Sequence, residues 1–99
     1  MKSKRTKALD IPKSVKDKVW ERDRHSCIVC GSTNAMPNAH FISRAKSGLG
    51  IPENIVTLCQ KCHHDFDNSV KRKELRVYIK AYLDIHYPDF EDESRIYKK

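Results

Sequence analysis

Ninety-nine residues with 38% hydrophobic content supply one small domain with a modest core and exclude a second. Lys and Arg number 20 against 13 Asp and Glu, and the formal charge of +7 favours a polyanionic partner, nucleic acid first. No stretch approaches the roughly 18 continuous apolar residues of a membrane span, and the basic start is not followed by the apolar run of a signal peptide, so no membrane partner and a cytoplasmic location are expected.

The whole positive excess lies in residues 1–48, while residues 49–99 balance. Residues 1–10 (MKSKRTKALD) are basic and nearly free of apolar groups, which predicts a flexible arm ahead of a single domain over 11–99. In residues 12–23, Val15, Val19 and Trp20 share one helical face and Pro12 suits the first turn, predicting a helix. Cys27 to Gly31 reads as a tight turn and Ser32 to Asn38, with Pro37, as a loop. Ala39 to Ser43 and Ile55 to Leu58 read as two strands of a hairpin closed by a loop that holds Gly48, Gly50 and Pro52. The string HHDFDN after Cys62 opens a helix. Leu75, Tyr78, Ile79, Tyr82, Leu83 and His86 recur at helical spacing, predicting an amphipathic helix over 70–86 that Pro88 ends, with its tyrosines used in packing. The acidic tail from Asp89 carries Phe90, Ile96 and Tyr97 and is expected to fold back on the domain.

Cys27-x-x-Cys30 and Cys59-x-x-Cys62 are two thiol pairs of identical spacing, 28 residues apart. Each pair can point at one ion from a single tight turn, and together they complete the tetrahedron that Zn²⁺ prefers. Such a site has no open position, so its zinc is structural. A thiol oxidoreductase is the competing reading, but it calls for one pair beside a βαβ unit, and none is evident. Anchoring both ends of the intervening segment to one ion forces it out and back, which sets the two strands side by side.

His40 and Asn54 sit on that hairpin, and His63, His64, Asp65 and Asp67 follow the last cysteine. Imidazoles and carboxylates near a basic surface are what phosphodiester hydrolysis needs: a base for water, a hard cation for the phosphate and a group that holds the base in line. On a helix, His63 and Asp67 lie at i and i+4, a spacing that lets two side chains share a metal.

The string CIVCGS…NAHFISR…GLGIPENIVTLCQKCHHDFDN, spanning residues 27–68, resembles the zinc-containing HNH endonucleases, in particular the short HNH proteins of tailed bacteriophages and prophages. The flanks IPKSVKDKVWERD and YLDIHYPDFEDESRIYKK resemble that group as well. The resemblance implies a small α+β chain with a ββα-metal (His-Me finger) fold, in which a hairpin and a helix grip one divalent ion beside the Cys₄ zinc. Residue by residue, His40 takes the place of the general base, Asn54 of the residue that bridges the loop backbone, and His63 of a metal ligand. Asp67 falls where many members place a second ligand. The implied activity is metal-dependent DNA cleavage with Mg²⁺ or Mn²⁺, or with Ni²⁺, Co²⁺ or Zn²⁺, and the implied setting is phage DNA packaging beside a terminase. Arg44 and Lys46 are expected along the path of DNA phosphates, with Arg22, Arg24 and the arm extending the footprint.

The chain departs from the family at Ala39, where many members carry a further ligand before the base. A shifted register, with His40 as ligand and Phe41 in the base position, would give an inactive protein, because Phe accepts no proton. A zinc-ribbon DNA-binding adaptor without catalysis is the alternative function. It explains the charge and the cysteines but not His40, Asn54 and His63.

Overall fold

Ile55, Val56 and Thr57 are β-branched, and with Leu58 and Cys59 they form a strand, β2 (Ile55–Cys59), in which all five residues are buried. Its antiparallel partner is β1 (Ala35–His40), and the two make a two-stranded sheet in the computed structural model, which describes residues 2–98. Ala35 opposes Cys59 and Met36 opposes Leu58, whereas Ala39 opposes Val56 and His40 opposes Ile55, so β1 holds one extra residue between Met36 and Ala39. The bulge takes up Pro37, whose missing N–H would break a regular ladder, and shifts the alternation of the strand by one. Beyond it Ala39 is fully buried and His40 half-buried. The strand thus begins four residues before the expected Ala39, inside the stretch read as a loop, and ends at His40.

Cys59 passes directly into α3 (Gln60–Asn68), and a short turn leads to α4 (Arg72–His86). Ile79 and Leu83 of α4 are fully buried in one cluster with Phe41, Val56, Leu58 and Phe66, as the helical periodicity predicted. α2 (Lys13–Arg22) buries Val19 and ends in a left-handed pair, Arg24 and His25, at φ 57° and 58°. His25 N–H donates to the Trp20 carbonyl at 2.9 Å and Arg24 N–H to that of Glu21 at 3.1 Å, which closes the helix end and redirects the chain toward Cys27.

The tail folds back. A 3₁₀ turn over Asp92–Arg95 leads to Ile96, which bridges to Gly48, and the Arg95 carbonyl accepts from Leu49 N–H at 2.8 Å. Arg95 is itself fully buried, with its Nε donating to the Glu53 carbonyl at 2.6 Å.

The segment expected as a flexible arm over 1–10 is folded over residues 2–10, the part of it that the structure describes. α1 (Lys4–Leu9) is capped by the Ser3 hydroxyl, which accepts from Thr6 N–H at 3.1 Å, and its single large apolar residue, Leu9, is 1% exposed. The Ala8 carbonyl accepts from Gly50 N–H at 3.0 Å, so the segment is docked on the hairpin loop. Among the described residues, no helix is long and apolar enough to cross a membrane.

Candidate active site and metal centre

The sulfurs of Cys27, Cys30, Cys59 and Cys62 all lie within 4.8 Å of one another. Cys30 Sγ is 3.6 Å from Cys59 Sγ, close to the roughly 3.8 Å edge of a tetrahedron with metal–sulfur bonds of about 2.3 Å. Two local structures deliver the pairs. After Cys30 the chain turns through Gly31 at φ 79°, a left-handed conformation that suits glycine, and Gly31 N–H donates to the Cys27 carbonyl at 2.9 Å. Cys59 caps α3, its sulfur accepting from Cys62 N–H at 3.4 Å. Burial by itself would raise the Cys27 thiol, but hydrogen bonds with the backbone of Cys30, Cys59 and Val29 outweigh it and bring the thiol down to about 7. Burial and the neighbouring sulfurs push the Cys62 thiol the other way, and it is the donor set and its spacing that fit a metal ion such as zinc.

His40 stands at the end of β1, its Nε2 2.9 Å from the Leu9 carbonyl oxygen. A carbonyl only accepts, so Nε2 carries the ring proton and Nδ1 keeps its lone pair. Burial lowers the ring below the ordinary imidazole value; the charges of Arg44 and His63 act in the same direction, and the Leu9 hydrogen bond opposes them. The ring is therefore neutral near pH 7.

Asn54, fully buried, closes the hairpin loop from inside. Its Oδ1 accepts from Ile42 N–H at 2.9 Å, and its Nδ2 donates to the carbonyls of Ile42 at 3.1 Å and Leu49 at 2.9 Å. Its backbone carbonyl accepts from Phe41 N–H at 2.8 Å, which ties it to the residue after His40.

On α3, His63 Nε2 and Asp67 Oδ2 are 3.5 Å apart on one face, both partly exposed. Asp67 lines a cleft of about 40 Å³ with His40, Ser43 and Lys46, whereas His63 lines a neighbouring cavity of about 410 Å³ with Asn34, Asn38 and Gln60. The pair thus spans the wall between the two. Among the described residues, three or more metal-ligating side chains converge only at the four cysteines, and Ala39 is buried and adds no donor. Phe41 is 2% exposed, with the Arg76 guanidinium 4.6 Å above its ring, so it serves packing.

The cations are arranged differently from expectation. Lys46 lines the His40 cleft, joined by Arg72 and Arg76 from α4, which nothing in the sequence singles out. Arg76 is braced there, its Nη1 3.4 Å from the Phe41 carbonyl. Arg44 turns toward the N-terminal segment, donating from Nη1 to the Leu9 carbonyl at 2.8 Å and from Nη2 to Asp10 at 2.9 Å. Hydrogen bonds from Lys2 and Arg44 hold the Asp10 carboxyl below the usual carboxylate range. Arg22, expected to extend a DNA footprint, points inward with 10% of its side chain exposed and pairs with Asp23 at 2.7 Å.

No family model matches the chain, and neither a curated protein nor a solved structure matches it significantly.

Proposed function

We propose that this protein is a metal-dependent DNA endonuclease of the HNH type, hydrolysing phosphodiester bonds in the cleft between β1, α3 and α4. The observation that carries the reading is the shared cleft: an imidazole that is neutral near pH 7 faces the same small space as Asp67 and three cationic side chains, Lys46, Arg72 and Arg76. A phosphodiester is an anion, and it would meet the cations there.

In this reading Nδ1 of His40 takes a proton from water, and the water oxygen bonds to phosphorus while the bond to the 3′ oxygen breaks. The departing oxygen takes a proton from solvent. Asn54 holds the loop so that His40 and its neighbours keep their place, and Lys46, Arg72 and Arg76 neutralise the substrate. His63 and Asp67 would hold a divalent cation such as Mg²⁺ or Mn²⁺, which supplies Lewis-acid stabilisation of charge on the phosphate and leaving group. With zinc in the Cys₄ cluster the site would keep its shape without that second ion. DNA is the partner in this reading, the host cytoplasm is the compartment, and phage packaging beside a terminase is the setting that the resemblance supplies.

Supercoiled plasmid incubated with the protein and Mg²⁺ or Mn²⁺ tests the proposal. Nicking that disappears with EDTA and with His40→Ala is the expected result. A mobility shift without cleavage would favour the DNA-binding adaptor instead.

A further inference from the structure

We propose that the backbone carbonyl of Leu9 is a positioning group for His40, so that the N-terminal segment completes the cleft. This rests on the nuclease reading above. A half-buried imidazole at a strand end can rotate and can carry its proton on either nitrogen, and nothing in β1 itself chooses between these states. The Leu9 carbonyl chooses: at 2.9 Å it accepts from Nε2 and leaves Nδ1 basic.

The carbonyl is held from several sides. Arg44 Nη1 donates to the same oxygen at 2.8 Å while Nη2 grips Asp10 at 2.9 Å, and Asp10 is also paired with Lys2 at 2.6 Å. The Leu9 side chain is 1% exposed, Gly50 N–H reaches the Ala8 carbonyl at 3.0 Å, and Asp10 N–H reaches that of Thr6 at 3.0 Å. Gly50 makes the approach feasible, because a Cβ there would lie 1.9 Å from the Asp10 carbonyl oxygen. Loop and segment therefore meet backbone to backbone. A contact serving only to anchor a terminus would not need a carbonyl aimed at the one ring that the proposed chemistry uses.

The ionisable groups around His40 are Arg44, His63 and Asp10; Lys46, Asp67, Arg72 and Arg76 line the cleft on one side of it, and Lys2 and Lys16 the cavity on the other. In Gly50→Ala the added methyl pushes the segment off the loop, which frees the ring from both its acceptor and its burial.

The test combines nitrogen-15 and proton spectra of the His40 ring with the pH profile of plasmid nicking, all on the full chain. The wild type is expected to show a slowly exchanging Nε2–H. In Gly50→Ala that proton should exchange too fast to observe, and the acid limb of nicking should move up toward the ordinary imidazole value. Replacing the exposed Lys18 of α2 by Ala removes a charge away from the segment and the cleft and should change neither readout. A wild-type proton on Nδ1, or a Gly50→Ala variant that keeps both the protected proton and the wild-type profile, overturns the positioning role. If Gly50→Ala does not fold, Leu9→Ala carries the same two readouts and is judged in the same way. A protected Nε2–H in a protein that never nicks DNA overturns the nuclease reading and, with it, the part assigned to Leu9.

Discussion

Arg22 and Asp23, neighbours in sequence, are joined side chain to side chain beneath the hairpin, Nε to Oδ1 at 2.7 Å and Nη2 to Oδ2 at 3.1 Å. The remaining guanidinium donors reach the Tyr87 hydroxyl at 3.3 Å and the carbonyls of Pro52 and Ile55, both at 2.7 Å, the two carbonyls bracketing Asn54 from either side. Asp23 in turn accepts from Thr57 N–H at 2.8 Å and from the Tyr82 hydroxyl. Burial and this carboxylate together push the Tyr82 phenol well above its ordinary value. A buried carboxylate is tolerable here because its oxygens meet donors from α2, β2 and α4.

Asp23→Ala leaves a guanidinium, an amide and a hydroxyl without their shared acceptor. The expected cost is about 3–5 kcal/mol, the scale for breaking one side of a buried ion pair. Urea unfolding measures it. A loss below about 1 kcal/mol, the scale of an exposed pair, would show that the network carries little of the stability.

In the proposed reaction His40 sets the pH dependence. Because burial and the neighbouring charges of Arg44 and His63 depress its pKa, the ring stays neutral to a lower pH than a free imidazole, and the acid limb of nicking is expected below the ordinary value of about 6.5. The same shift is linked to folding. The unfolded chain takes up the proton first, so stability is unaffected above about pH 6.5 and falls as pH drops through the folded pKa. Nicking rates and thermal melts between pH 5 and 8 follow the two effects, and an acid limb above 7 would contradict the depression.

Metal removal should act on the whole domain, since Cys27, Cys59 and Cys62 are members of the core cluster itself. Stripping the ion, or replacing Cys62 by Ser, is expected to abolish the cooperative thermal transition and any nicking together, as binding energy at such a site is folding energy. Metal analysis with circular dichroism measures this. A stripped protein that melts as the loaded one does would mean that the thiols hold no structural ion.

The parts legible in the sequence are those written in local pattern or fixed spacing: the β-branched run at Ile55, the Ile79 and Leu83 stripe and the paired Cys-x-x-Cys turns. Pro37 misled the reading of β1, because a proline signals a loop unless a bulge accommodates it, and the register that creates the bulge belongs to the partner strand. α1 was missed because it carries one large apolar anchor, Leu9, and docks through the bare backbone of Gly50, forty residues along the chain. Charge gave the least guidance. Arg22 and Arg44 read in sequence as cations facing DNA and Arg95 carries no signal there, yet all three hold the Asn54 loop and the N-terminal segment in place, and only tertiary geometry separates them from Arg72 and Arg76.

That separation can be measured by salt dependence. Each phosphate neutralised on duplex DNA contributes a slope of about −0.9 to the logarithm of the binding constant against the logarithm of salt concentration. Arg72→Ala and Arg76→Ala, which each remove a cation from the His40 cleft, are therefore expected to flatten the slope by about 0.9 apiece for duplex binding without divalent cation. Arg76→Lys keeps the charge and loses the planar stack over Phe41, so its slope should hold while its affinity falls modestly. Lys73→Ala, on the same helix but outside the cleft, should change the slope by less than half as much. Slopes that respond equally at Lys73 and Arg76 would mean that DNA is drawn to the general charge of α4, with no phosphate seated beside His40.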